Sequence, residues 1–301
     1  MTRRRTGRGR AWAELLRVSA LLSVPGDALA GAAAAGARPG RGTLCALGAS
    51  LCLYEAGMAL NDWADRTEDS VERPHRPLPS GRVAPGAALA ASAALTAAGL
   101  VLASRAGRPS LAVATALAGT VWAYDLRLKH TPAGPGAMAT ARALDLLLGA
   151  TASTRGRDTP TRAALDALPS AALLGAHTYA VTAVSRHETR GGSTRTPLAA
   201  LAVTLAVAAA ASGGPRGPRP DTARLRPLLA LAYARTPAPL LLHAALNPSA
   251  ALTERAVGGG IRATIPLQAA LAARSGAPAT ALALLGLVPA ARALARKVSP
   301  T

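Results

Sequence analysis

A chain of 301 residues with a formal net charge of +19 invites a nucleic-acid reading, but its 34 Lys and Arg lie between apolar runs. They form no single basic face, and aromatic residues, at 2%, are too few for base-stacking platforms, so nucleic acid is not a predicted partner. Half of the residues are hydrophobic, mean hydropathy is +0.25 and only 16% are charged, which points away from an ordinary soluble composition and towards a membrane protein. Cys45 and Cys52, seven apart in one apolar segment with no CxxC, read as small buried hydrophobes and not as zinc ligands or a disulfide framework.

In chain order, the first element is the basic stretch RRRTGRGR followed by ALLSVPGDALAGA. It imitates a secretory signal with a small-residue cleavage site. Pro25 and Asp27 interrupt its apolar part, so the predicted element is a first membrane helix, 12–35, held by a basic cytoplasmic tail at 1–11. Apolar runs then recur at 43–61, 83–104, 109–125, 136–153, 163–185, 196–213, 224–246 and within 258–296. Most approach the ~20 residues needed to cross a bilayer. The expected fold class is therefore all-α: a polytopic membrane protein of about nine transmembrane helices, forming a single domain over 1–301. With the N-terminus cytoplasmic, the loops 62–82, 125–135 and 185–195 share the cytoplasmic side. The opposite loops hold almost no acids. The Pro/Gly/Arg-rich stretch 213–227 reads as a loop.

Chemistry concentrates in NDWADRTEDSVERPHRPLPSGR, Asn61 to Arg82, which holds five of the chain's 15 acidic residues within eleven positions. At about 100° per residue, Asp62, Asp65 and Asp69 fall within about 60° of one another on a helical wheel. The stripe extends back towards Asn61 and Glu55, while Glu68 and Glu72 point elsewhere, into solvent. Three carboxylates on one face repel one another unless a cation lies between them, and Mg²⁺ bridging to a phosphate meets that need. Arg73, Arg76 and Arg82, on a proline-stiffened segment, are suited to the outer oxygens of a diphosphate.

With these residues in view, Asn61-Asp62-x-x-Asp65-x-x-x-Asp69 followed by Arg73-Pro74-x-Arg76-Pro77-Leu78-Pro79-Ser80-Gly81 resembles the first motif of the UbiA superfamily of membrane-embedded prenyltransferases. The resemblance implies helices around a central cavity and two aspartate-rich regions binding the Mg²⁺-diphosphate of an isoprenoid substrate. It continues in Tyr124-Asp125-Leu126-Arg127-Leu128-Lys129, similar to the family's Tyr-x-x-x-Leu-Lys segment, and in Arg142 to Gly149, which resembles the start of the fifth helix. What it implies is a diphosphate held by Asn61, Arg73, Arg76, Lys129 and Arg142, with Tyr124 beside it. Lys129 is a point charge suited to a phosphate, and Tyr124 a hydrogen-bond donor at a helix end.

The second motif departs from the family pattern. Ser185-Arg186-His187-Glu188-Thr189-Arg190-Gly191-Gly192 keeps the glycine, but Glu188 is its one carboxylate. A second cation then depends on Glu188, with Asp125 or Asp145 completing the site and Arg186 or Arg190 replacing lost charge. The predicted metal ligands are Asp62, Asp65, Asp69, Glu188 and Asp125, and the predicted catalytic set is Asp62, Asp65, Lys129 and Tyr124. The resemblance implies an Mg²⁺-dependent transfer of a prenyl group from an allylic prenyl diphosphate to an unidentified acceptor, at the cytoplasmic face of the cell membrane and within the lipid bilayer. Two rival readings are cyclisation of the prenyl chain and non-catalytic binding or transport of a prenyl lipid. Seven aromatics with no Phe argue against cyclisation, which relies on aromatic faces to stabilise cations. His177 reads as a helix-packing residue.

Overall fold

The structure is a computed structural model that describes residues 2–17, 23–154, 159–188, 192–213 and 220–298, with the backbone alone at 2–8, 220–223 and 291–298. The described residues form helices and connecting turns without strands. In chain order these are α1 (Thr2–Leu15), α2 (Pro25–Ala34), α3 (Arg41–Ala64), α4 (Arg66–Glu72), α5 (Pro85–Ala106), α6 (Arg108–Ala123), α7 (Gly134–Ala152) and α8 (Pro160–Ser185). The remainder are α9 (Arg195–Ser212), α10 (Pro220–Arg235), α11 (Ala238–Leu246), α12 (Ala250–Arg274) and α13 (Pro278–Val298).

Proline and glycine set many of these boundaries. Pro85, Pro109, Pro135 and Pro160 stand in the first turn of α5, α6, α7 and α8, where a missing N–H costs no intrahelical bond. Four helices, α3, α5, α8 and α9, are long and apolar enough to cross a membrane by length and composition. Large apolar side chains such as Val101, Leu165, Leu198 and Leu205 remain exposed on three of them, as expected where lipid is the solvent. The chain is a multi-pass membrane protein.

Three expectations about the elements need correction. The run 12–35 is not one helix: α1 ends at Leu15, and Pro25 begins the ten-residue α2. The run 224–246 is split into α10 and α11, because Pro237 and Pro239 cannot continue the hydrogen-bond ladder. From Pro220 onward, the stretch expected as a loop is already helical.

The core is built largely from alanine. Ala28, Ala46, Ala49, Ala103, Ala114 and Ala118 cluster with Leu53, Leu117 and Leu148 between α2, α3, α5, α6 and α7. A second cluster joins α2, α7, α8 and α12 through Ala30, Leu146, Leu174, Leu267 and Leu271. Small side chains let helix backbones approach closely, which is how helices associate where lipid removes the hydrophobic drive between them. The approach is close between α2 and α7, where an added Cβ on Gly149 would overlap the backbone of Ala28.

His177 belongs to this packing. It is buried, its Nε2–H donates to the Gly260 carbonyl at 3.1 Å, and its Nδ1 accepts from the Tyr233 hydroxyl at 3.0 Å.

Candidate active site

The helix carrying the first motif does not run straight through it. α3 ends at Ala64, Asp65 is the joint, and α4 starts at Arg66. Asp65 and Asp69 still accept and donate along a helical path, Asp65 N to Asn61 O at 3.0 Å and Asp69 N to Asp65 O at 2.8 Å. The three aspartates nevertheless have different surroundings. Asp69 is 1% exposed and accepts from Arg76 Nη1 at 2.7 Å and Arg73 Nη1 at 3.3 Å. Asp62, 5% exposed, pairs with Arg17 at 3.4 Å and Arg76 at 3.6 Å. Asp65 pairs with Lys129.

The segment after α4 is held by its own polar groups. Ser80 Oγ donates to Arg76 O at 2.6 Å, Arg82 Nη2 donates to His75 O at 2.7 Å, and Arg82 Nη1 pairs with Glu14 of α1 at 2.7 Å. Arg82, expected among the phosphate-binding cations, therefore fastens the loop. Across from it, the π-helical turn Tyr124–Leu128 ends α6, closed by a Lys129 N to Tyr124 O bond of 2.9 Å. Such turns often mark functional positions. Here the turn sets Lys129 against Asp65, and Asn61 Nδ2 donates to Asp125 Oδ1 at 3.0 Å.

These groups surround two cavities that share Arg17, Asn61 and Tyr124. The polar one, of about 540 Å³, is lined by Asp65, Glu68, Asp69, Arg73, Arg76, Lys129, His130, Arg186 and Glu188 among others. The apolar one, of about 250 Å³, runs between α3, α6 and α7 along Leu53, Gly57, Met58, Leu117, Val121 and Met138. Its α3 wall repeats every three to four residues from Ser50 to Asn61, so one helix face leads from one cavity to the other.

Most of the expected residues are thus brought together, with some reassigned. Asn61, Asp65, Asp69, Arg73, Arg76, Tyr124, Lys129 and Glu188 line the polar cavity. Asp62 lines neither cavity; its carboxylate is taken up by two arginines. Arg142, expected at the diphosphate, lines the apolar cavity instead and pairs with Asp27 of α2 at 2.9 Å. Asp125 and Asp145 also line the apolar cavity, so neither joins Glu188 in the polar one. Arg190 lies outside the described residues. Burial pushes the Glu188 carboxyl above its ordinary value; Glu254 adds to the effect and Arg73 opposes it.

Three contributors escaped sequence reasoning. Glu68, expected to point into solvent, lines the polar cavity, and its carboxylate, that of Asp65 and the imidazole of His130 offer ligand atoms within 4.8 Å of one another. This trio fits a divalent cation, its two carboxylates suiting a hard ion. His130 follows Lys129 directly, so the signal was adjacency to a phosphate-suited lysine. Arg17 lines both cavities, and its φ of +47° is uncommon for a non-glycine residue. A lone arginine in an apolar run gave little hint of this position.

The UbiA prenyltransferase family matches residues 24–215. Over 84 residues the chain is 43% identical to a digeranylgeranylglyceryl phosphate synthase of Methanothrix thermoacetophila, covering 28% of this chain and 32% of that protein. The matched part thus spans about a third of the relative's length. Among solved structures, one concerned with digeranylgeranylglyceryl phosphate synthase in membranes superposes with a TM-score of 0.60 at 16% identity, over 89% of this chain and 98% of the other. A UbiA homologue from Archaeoglobus fulgidus bound to GPP and Mg²⁺ superposes with a TM-score of 0.57 at 15% identity, over 84% of this chain and 99% of the other. At such identities the likeness establishes the fold.

Proposed function

The chain belongs to the UbiA prenyltransferase family, and from that premise we propose that it is an integral-membrane prenyltransferase acting on an allylic prenyl diphosphate. The observation that carries this reading is the pair of joined cavities, one cationic and carboxylate-lined, the other apolar, meeting at Arg17, Asn61 and Tyr124. A prenyl diphosphate has the same two halves. Its anionic head fits the polar cavity, and its hydrocarbon tail fits the apolar one, at about 0.8 kcal/mol for each CH₂ removed from water.

Within the polar cavity, Arg73, Arg76, Lys129, Arg17 and Arg186 supply positive charge to the diphosphate oxygens. Asp62 and Asp69 aim these arginines and do not themselves hold the metal. Asp65 and Glu68 would hold Mg²⁺, with His130 beside them and Glu188 across the cavity. When bound, the ion would supply charge neutralisation to the leaving diphosphate; a UbiA homologue from Archaeoglobus fulgidus is bound to GPP and Mg²⁺.

In the reaction, the bond between C1 and the diphosphate oxygen breaks, and its electron pair leaves with the diphosphate. A nucleophilic atom of the acceptor bonds to C1 and gives up its proton to the departing diphosphate or to water. The residues lower the barrier by fixing charge where the leaving group develops it, and by holding C1 at the junction of the two cavities. The apolar cavity offers only Tyr54 and Tyr124 as aromatic faces among its described residues, which favours transfer over cyclisation. The acceptor is a small molecule or lipid reached from the bilayer. The basic N-terminal tail supports a location in the cell membrane with the polar cavity on the cytoplasmic side.

The test is diphosphate release by the purified full chain in detergent, with and without Mg²⁺. Parent protein is expected to release diphosphate with Mg²⁺, and Asp65→Ala to lose at least about a hundredfold of that rate. Absence of both release and Mg²⁺-dependent binding of any prenyl diphosphate would overturn the reading.

A further inference from the structure

Farthest along α3 and α7 from the diphosphate groups, the apolar cavity is lined by three polar side chains: Ser50 of α3 and Arg142 and Asp145 of α7. They are tied in place. Ser50 Oγ donates to Asp145 Oδ2 at 2.7 Å, Arg142 pairs with Asp27 at 2.9 Å, and Gln268 Nε2 donates to Asp27 Oδ1 at 2.6 Å. Asp27 and Gln268 stand fully buried behind them.

Beyond this floor the helices close. Thr43 and Ser153 hydroxyls lie 2.8 Å apart and bind the start of α3 to the end of α7, while α2 packs on α7 with Gly31 against the Leu146 carbonyl. A hydrocarbon chain reaching the floor meets a carboxylate and a guanidinium, which it cannot solvate. Asn61 at the junction and Ser50 at the floor stand eleven residues apart on α3, a rise of about 16 Å. A geranyl chain, with eight carbons along its length, lies within that reach, whereas an extended geranylgeranyl chain, with sixteen, exceeds it.

Resting on the prenyl diphosphate reading above, we propose that Asp145, flanked by Ser50 and Arg142, is the floor that sets prenyl chain length, admitting geranyl diphosphate and rejecting geranylgeranyl diphosphate. Asp145 is a specificity-determining residue in this scheme and takes no part in breaking the C1–O bond. Its polarity stops the tail as much as its bulk does.

The test measures dissociation constants of geranyl, farnesyl and geranylgeranyl diphosphates in the presence of Mg²⁺, for parent, Asp145→Ala and Asp145→Asn. Removing the Asp145 carboxylate leaves the Arg142–Asp27 pair with balanced charge, and a melting curve in detergent checks the fold. Parent is expected to bind the geranyl compound at least about tenfold more tightly than the geranylgeranyl compound. Asp145→Ala should shrink that ratio about tenfold by gaining the longer chains, while Asp145→Asn, polar and of the same size, should keep it. If Asp145→Ala does not fold, Asp145→Leu provides the apolar floor at similar size, and its ratio should shrink as well. Equal binding of all lengths by the parent, or an unchanged ratio in the apolar variants, overturns the proposal. Binding of no chain length overturns the prenyl diphosphate reading itself, and this one with it.

Discussion

At the scale of single residues, the carboxylates of the polar cavity differ in the cations they hold. Asp65 and Asp69 are four apart and equal in chemistry, but one meets Lys129 at the cavity and the other is buried beneath Arg73 and Arg76. The two are expected to fail differently. Asp69→Ala frees two guanidiniums that it had aimed, so KM for the prenyl diphosphate should rise about tenfold with a smaller effect on kcat; steady-state kinetics of diphosphate release separates the two. Lys129→Met removes a charge from the developing anion itself, and should lower kcat by about 10² to 10³ with Mg²⁺ saturating. Equal kcat losses in both variants would contradict the division of roles.

At the scale of elements, the apolar cavity lies between α3, α6 and α7, and α2 is pressed against α7. The pressing depends on small residues in α2 and α7. Gly149→Leu would drive a side chain into the Ala28 backbone, which overpacking makes worth about 1–3 kcal/mol or more. The expected outcome is a lower Tm in detergent than Gly136→Leu, because an added Cβ at Gly136, in the same helix, meets nothing within 4 Å. The chain turns from α3 to α4 at Asp65, and both Asp65 and Glu68, three apart, line the polar cavity.

At the scale of the whole molecule, the segments after α3, after α6 and after α8 meet in the polar cavity, which puts them at one end of the bundle. The turn between α5 and α6 at Gly107 then belongs to the other end, since α5 is long enough to cross. With Cys45 and Cys52 replaced by Ser, single cysteines at Glu72 and at Arg105 should react with a membrane-impermeant thiol reagent from opposite sides of sealed vesicles, Glu72 from the cytoplasmic side. Labelling of both from the same side would overturn this topology.

How much of this the sequence determined by itself follows from the reach of the interactions involved. All-helical architecture, the membrane setting and the first motif depend on near neighbours: apolar runs, proline punctuation and carboxylates and arginines within twenty-two positions of one another. The family resemblance could be read there for the same reason. What only the tertiary structure decided is which of those groups face each other. Arg142 has the charge and the position for a diphosphate, but Asp27, more than a hundred residues earlier, draws it to the far end of the apolar cavity. Asp62 matches the motif, and Arg17 and Arg76 occupy it. Burial makes each choice of partner decisive, since a charge taken out of water must be met by whatever group the packing brings to it, and no spacing along the chain records which group that is.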